Sequence, residues 1–238
     1  VYPRVSTGRR LALARWITDR GHPLTARVAI NHIWLRHFGR PLVEKVDDFG
    51  LRSPRPRLAD LLDYLATELM DNQWSMKHMH RLIVTSSAYR MQSAAVTVPN
   101  TNSSKDANNP RSIDPDNKLF WRMNVRRLEA ETVRDALLAA GGQLDLTMRG
   151  SLLKLKNRAY FFDHTSKDET RYNVPRRSVY LPVVRNHLYD VFTLFDYTDA
   201  SVMPGDRATS TVAPQALFLL NSDLVDRVSR RLAVRNSV

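Results

Sequence analysis

A stripe of leucines at helical spacing constrains the fold of this chain more than any other feature of its sequence. Asp60, Asp63, Thr67 and Asp71 fall on the opposite side, as in a surface helix of a globular protein. The stripe therefore predicts an amphipathic helix with one buried face. It consists of Leu58, Leu61, Leu62, Leu65 and Leu69.

Two further helices are predicted ahead of the leucine stripe. Thr7 is expected to cap a helix over residues 8–18, where apolar side chains again share one side. A second helix is expected over residues 24–38, because Gly39 and Pro41 give a C-terminal stop. Two antiparallel helices are the simplest outcome.

Ser75 is expected to cap a fourth helix, which continues to residue 89 and completes an all-α bundle over residues 1–92. The composition then changes to Ser, Thr, Asn, Ala, Pro and Lys, with few apolar anchors. Residues 93–112 are therefore predicted to form a flexible loop.

Residues 113–238 are predicted to combine helices with an irregular insert and a short extended or β segment. Helical spacing favours helices over residues 128–140, 187–195 and 214–233. The β-favouring residues 178–183 favour a strand or an extended strut. The predicted fold class is mainly α.

The residue types that are missing or in excess restrict the possible functions. The chain contains no Cys, which excludes disulfides, thiolate nucleophiles, zinc ribbons and a haem attached through Cys-x-x-Cys-His. The net charge is +12, and 29 Arg stand against 7 Lys. Because Arg favours forked pairing and the basic residues are scattered along the chain, nucleic-acid binding is the weaker alternative.

Catalytic and metal-binding patterns are poorly represented. Neither His pair, 32/37 or 78/80, has the four-residue spacing that places two imidazoles over one metal, and no Ser lies in a Gly-x-Ser-x-Gly turn. The sequence thus favours a noncatalytic role. The enzymatic alternative is action on a polysaccharide or its esters, using Asp48, His37 or Glu131 in a pocket lined by Trp34 and Trp121.

The strongest candidate site is a set of arginines, acids and amides in the second half of the chain. If these side chains converge, forked bonds from Arg to carboxylates and carbonyls would hold helix and strut together. Surplus guanidinium groups would instead make a pocket for an anion, such as a carboxylated or sulfated sugar. Gln215 and Asn221 are expected to satisfy loop carbonyls inside the core. The set is Arg122, Arg126, Arg127, Glu131, Arg134, Arg176, Arg177, Arg185, Asn186, Gln215 and Asn221.

Several short motifs follow one another in a distinctive order. They include Pro23-Leu-Thr-Ala-Arg-Val-Ala-Ile-Asn, Leu82-Ile-Val-Thr-Ser-Ser-Ala-Tyr-Arg, Arg127-Leu-Glu-Ala-Glu, Arg177-Ser-Val-Tyr-Leu and Pro214-Gln-Ala-Leu-Phe-Leu-Leu-Asn. In these motifs the chain resembles a domain of unknown function that is abundant in planctomycetes and usually lies C-terminal to cytochrome-like domains in large exported proteins. The resemblance spans nearly the whole chain and implies one family domain over residues 1–238.

The resemblance also implies a compartment and partners. The parent polypeptide is expected to be periplasmic or displayed at the cell surface, with a c-type haem domain and a helical domain upstream, and no cofactor in this chain. The predicted role is a noncatalytic scaffold that docks those domains, with an anionic cell-surface polymer as a further partner. Val1-Tyr-Pro-Arg has no features of a secretory signal, so we expect the targeting information further upstream. The apolar runs fall far short of the roughly 20 residues that span a bilayer.

Overall fold

The computed structural model of the chain describes residues 7–93, 109–148, 150, 152, 172–184, 188–198 and 205–236. Within these ranges the chain forms nine α-helices and one 3₁₀ turn, and no β-sheet. An isolated parallel bridge joins Asp145 and Arg176. The predicted mainly α fold is confirmed. The chain divides into two compact units, Val1–Arg126 and Arg127–Val238.

The described residues of the first unit form five helices. They are α1, Arg9–Ile17; α2, Thr25–Phe38; α3, Ala59–Asp71; α4, Met76–Thr85; and α5, Pro110–Ile113. Helix α5 begins inside the segment 93–112, for which the sequence predicts a loop. Residues 94–108 of that segment lie outside the described residues.

Helices α2, α3 and α4 supply most of the core of the first unit. The leucine stripe behaves as predicted, because Leu62, Leu65 and Leu69 are buried and the remaining two leucines pack at the edge of the core. Trp34 stacks on Phe38 with ring centroids 4.1 Å apart. Burial of these apolar side chains is the main stabilising contribution to such a bundle.

Two of the predicted helix ends are wrong. Helix α1 begins after Gly8, whose φ is 69°, and no side chain caps it, so Thr7 is not the cap. Helix α4 ends at Thr85 rather than at residue 89, because Ser86 turns to extended backbone and its hydroxyl donates to the carbonyl of Ile83. The predicted cap at Ser75 is correct, since its Oγ accepts from His78 N at 3.3 Å.

A buried amide secures the loop that follows α2. Asn31 is fully buried, and its Oδ1 accepts from the backbone N–H groups of Leu42 at 2.8 Å and Val43 at 2.9 Å. Its Nδ2 donates to the carbonyl of Val43 at 3.1 Å. Because all three groups are removed from water, each bond prevents a costly unsatisfied polar atom. The loop is thereby fixed across α2.

The described residues of the second unit form four α-helices and the 3₁₀ turn, Ser178–Tyr180. The helices are α6, Ala130–Ala140; α7, Asp190–Leu194; α8, Ala213–Asn221; and α9, Asp223–Asn236. Two groups of buried apolar side chains form its core, one around Phe192 and one around Leu138 and Val228.

The C-terminal half differs from the predicted elements in three places. The helix predicted over residues 214–233 is interrupted at Ser222, which is extended and whose Oγ accepts from Val225 N, as an N-cap of α9 does. Helix α7 has only five residues, and residue 187 lies outside the described part of the chain. The predicted strut begins as the 3₁₀ turn and is extended at Leu181.

The helices of the described segments are also short or polar in character. None of them combines the length and the apolar composition that crossing a lipid bilayer requires.

Candidate functional site

Arg134 on α6 holds the segment 172–178 through its guanidinium group. The side chain is only 2% exposed. Its Nη1 donates to the carbonyl of Arg176 at 2.8 Å and to Ser178 Oγ at 3.2 Å, while Nη2 donates to the carbonyls of Tyr172, at 3.5 Å, and Val174. A buried guanidinium is stable only when its donors are used in this way.

Asp135, the next residue on α6, binds the same segment through its carboxylate. Its Oδ1 accepts from Ser178 N at 2.8 Å and from Ser178 Oγ at 2.6 Å. Arg134 Nη1 lies 3.6 Å from this carboxylate and the half-exposed Arg177 Nε lies 3.9 Å from it. The charge of Arg134 is thus balanced by its neighbour.

Arg176 ties the segment to the chain that follows α6. Its Nη2 donates to the carbonyl of Thr147 at 2.9 Å, its Nη1 donates to that of Gly150 at 3.2 Å, and its guanidinium lies 5.1 Å from the ring centre of Tyr180. The hydroxyl and the N–H of Thr147 donate to Asp145 and, with the charge of Arg176, lower the pKa of that carboxyl.

Arg127 pairs with Asp196 at 3.1 Å, with both side chains largely buried. Asp196 has a φ of 60° and also accepts from Ser210 N at 2.8 Å and from Ser210 Oγ at 2.7 Å. Desolvation raises the pKa of Asp196, but the two bonds from Ser210 and the charge of Arg127 outweigh it, so the pKa lies below its ordinary value. The hydroxyl of Ser210 is thus a donor to a carboxylate.

The two amides predicted to lie inside the core have different surroundings. Gln215 is buried, and its Nε2 donates to the carbonyl of Leu194 at 3.0 Å, while its Oε1 accepts from Val212 N at 3.3 Å. Asn221 is exposed and donates to the carbonyl of Leu217 within its own helix. The prediction that Asn221 is a core amide is wrong, because α8 ends there and its last turn faces water.

Arg122 and Arg126 belong to the first unit. Arg126 Nη1 donates to the carbonyls of Arg36 and, at 3.4 Å, of Leu35, where the last carbonyls of α2 favour a cation. Arg122 lies 5.3 Å from the ring centre of Trp121. Arg185 and Asn186 lie outside the described residues.

Arg127, Arg134, Arg176 and Arg207 form an arginine framework in the second unit. Arg207 is the member of this framework that the sequence did not predict. It binds Glu131 through two contacts of 2.7 and 2.8 Å, and Glu129 lies 3.2 Å from the same guanidinium. The ring centre of Tyr197 lies 4.9 Å away. Arg207 stands in an irregular segment without periodicity, so only its Gly-Asp-Arg turn context could have marked it.

The residues of the enzymatic alternative each make contacts within their own unit. Trp34 is a core residue, and Trp121 Nε1 donates to the carbonyl of Asp114 at 2.8 Å. Asp48 accepts from Gly50 N at 3.1 Å, in a turn of its own loop. Glu131 is bound by Arg207, in the second unit.

His37 is bonded to His80, with Nε2 and Nδ1 at 2.8 Å. The ring of Tyr89 lies edge-on, its centroid 5.7 Å from that of His37. Burial lowers the pKa of His37, and the charges of His80 and Arg126 lower it further. Two imidazoles alone make a weak metal site, and the described segments bring no third carboxylate or imidazole into such a group.

The arginines of this framework use their donors on carbonyls and carboxylates of the same unit. Such contacts fix loops on a helix, although the buried Nη2 of Arg127 and the buried Nε of Arg134 have no hydrogen-bond partner. The chemistry that this arrangement supports best is therefore cohesion of the unit.

Comparison with known proteins identifies the chain only at the level of its family. No curated protein matches it, and no solved structure does so either. One family model, PSD1, described as a protein of unknown function (DUF1553), matches residues 9–237 and so includes both units. The chain belongs to the DUF1553 family of proteins of unknown function.

Proposed function

We propose that this chain is a noncatalytic docking domain of an exported multidomain protein, and that it binds a neighbouring domain of the same polypeptide. The neighbouring domains are expected to be a c-type haem domain and a helical domain, in the periplasm or at the cell surface. The observation that carries the proposal is the uncovered apolar side of α1.

Helix α1 buries none of its nine residues. Leu13, Trp16 and Ile17 stand three and four positions apart, on one side of the helix, and are 54%, 60% and 41% exposed. Helices shorter than about 12–15 residues are marginal in water without packing. Exposed apolar groups of this kind mark protein interaction sites.

The charge of α1 indicates the chemistry of its partner. The helix carries Arg9, Arg10 and Arg15 and no acidic residue. A surface that combines apolar side chains with carboxylates at its edge complements this helix, because opposite charges steer association and like charges oppose it. We therefore assign α1 to an acidic, apolar surface on a neighbouring domain.

The upstream domains of the parent polypeptide, produced separately, provide the test by isothermal titration calorimetry. We expect association with this chain and a negative heat-capacity change, since apolar surface is buried. Trp16→Asp should weaken the association about 10-fold or more, as loss of a central aromatic anchor does. Leu51→Asp, a change at a fully exposed loop residue of the same unit, is the matched control and should leave the affinity unchanged.

Two results would contradict the proposal. The first is a lack of association at high micromolar concentrations of both proteins. The second is equal affinity of the wild type and Trp16→Asp, which would show that the domains meet without α1.

A further inference from the structure

A cleft of about 630 Å³ in the second unit lies between the end of α6, the segment 173–175 and the first half of α9. Among the described residues, three guanidinium groups line it, those of Arg134, Arg227 and Arg231, against a single carboxylate, Asp223. Arg134 belongs to the internal framework, but its buried Nε has no hydrogen-bond partner. We propose that this cleft binds a linear polysaccharide that carries carboxylate groups.

Arg227 and Arg231 differ from the arginines of the framework. Arg127, Arg134 and Arg207 are each bonded to a carboxylate or carbonyl of the same unit. Arg227 and Arg231 are exposed, and neither side chain has a hydrogen bond or an ion pair within the described segments. Asp223, four positions before Arg227, also stays beyond ion-pair distance of it, so the cleft keeps its positive charge.

The basic surface continues along α9. A second cleft, of about 720 Å³, shares Gly142 and Arg231 with the first and adds Arg235. Arg235 Nη1 lies over Gly142, 3.8 Å from the position that a Cβ would take there. Arg227, Arg231 and Arg235 are four residues apart, so they form a row with a step of about 6 Å along the helix.

Like charges at this spacing destabilise a helix. Arg230 illustrates the alternative, because it bonds to Asp226 at 2.9 and 3.0 Å. The row is therefore a surface on which a bound polyanion would relieve repulsion. A ligand with repeated anionic groups matches a row of separate guanidinium groups better than a single small anion does.

The other lining groups favour a sugar over a nucleic acid. The side-chain amides of Gln143 and Asn173 line the cleft and have no hydrogen bonds within the described segments, so they are available to hydroxyl groups. Tyr189, the one aromatic ring among the described lining residues, stacks on Tyr172 with centroids 5.0 Å apart and is not a free platform for a base. Forked guanidinium groups match carboxylates in two-point contacts.

A hexamer of galacturonate, titrated into the chain in a calorimeter at low and at physiological salt, tests the inference. We expect binding that weakens as salt rises. Arg227→Gln/Arg231→Gln should lower the affinity about 10-fold or more, as expected for the loss of two charge-assisted contacts. Arg52→Gln/Arg81→Gln removes two charges from exposed side chains of the first unit and should bind as the wild type does.

Each alternative outcome is distinct. Equal losses in the two double variants would overturn the site, because binding would then follow net charge alone. An uncharged maltohexaose that binds as well would overturn the role of the carboxylates. Tighter binding of a sulfated hexasaccharide or of an oligothymidylate would assign the cleft to sulfate or to nucleic acid, against the proposal. No binding by any of these ligands would also overturn it. Thermal melts of both variants verify that they fold.

Discussion

The guanidinium of Arg207 and the carboxylate of Glu131 meet in a two-point contact, with Nη1–Oε2 at 2.7 Å and Nη2–Oε1 at 2.8 Å. The two residues are 76 positions apart in the sequence, and both side chains are about three quarters buried. The hydrogen bond with Glu131 raises the pKa of Arg207 further above its ordinary value, against desolvation. This pair anchors the segment 205–210 on α6.

Replacing Arg207 by Lys keeps the charge and removes the fork. We expect a loss of about 1–2 kcal/mol in the free energy of unfolding of the second unit, since one of two charge-assisted bonds is lost. Urea denaturation of Arg207→Lys, Glu131→Gln and the double variant measures the coupling between the two residues. Additive losses would show that the pair contributes nothing beyond its separate members.

Replacing Arg134 by Met removes the buried donor and leaves Asp135 and three carbonyls without it. We expect a loss of about 3–5 kcal/mol, the usual effect of breaking a buried pair. Hydrogen exchange should accelerate at the amides of residues 172–178. Arg177→Met, at a half-exposed side chain 3.9 Å from the same carboxylate, is the control and should cost less than about 1 kcal/mol. Similar losses in both variants would exclude the special role of Arg134.

Gly39 and Gly8 form a matched pair of glycines in the left-handed region, with φ of 70° and 69°. A Cβ on Gly39 would lie 2.5 Å from Arg126 Cδ, whereas a Cβ on Gly8 would meet no atom within 4 Å. Gly8→Ala should cost about 1 kcal/mol from backbone strain alone. Gly39→Ala should cost about 1–3 kcal/mol more, because Arg126 must leave the end of α2. Equal melting temperatures of the two variants would refute the contact.

The burial of His37, together with the charges of His80 and Arg126, predicts a stability that depends on pH. The pKa of His37 is lowered from 6.5 in the folded chain, so the unfolded chain binds the proton more tightly. The contribution is complete above pH 6.5 and is lost as the pH falls towards the folded pKa. His80, Tyr89 and Arg126 are the neighbours that face the ring.

Chemical denaturation of His37→Asn and of the wild type at several pH values measures this effect. We expect the wild type to lose more stability than the variant between about pH 7 and pH 5, because only the wild type carries the depressed imidazole. The difference between the two proteins at about pH 8, where imidazoles are neutral, gives the baseline. Parallel curves would contradict the prediction.

Local patterns were enough to predict the long helices. The stripe from Leu58 to Leu69 and the glycine after α2 act within a few residues, so their periodicity and stop signals are visible in the sequence. The error at α8 and α9 has a local cause as well. Ser222 interrupts an otherwise continuous helical pattern, and its capping role depends on a choice between two backbone conformations that periodicity does not resolve.

The amino-acid sequence by itself determined the helical class, the excess of arginine, the lack of thiol chemistry and the family. Only the tertiary structure decided which guanidinium groups have partners, because Arg207 meets Glu131 and Arg134 meets Val174 across 76 and 40 residues. Within the described part of the chain, it also left the side chains of Arg227 and Arg231 without hydrogen bonds or ion pairs. The sequence does not distinguish an arginine that has an internal partner from one that has none. Its role follows from the distance between its guanidinium group and the nearest carboxylate or carbonyl, which folding alone sets.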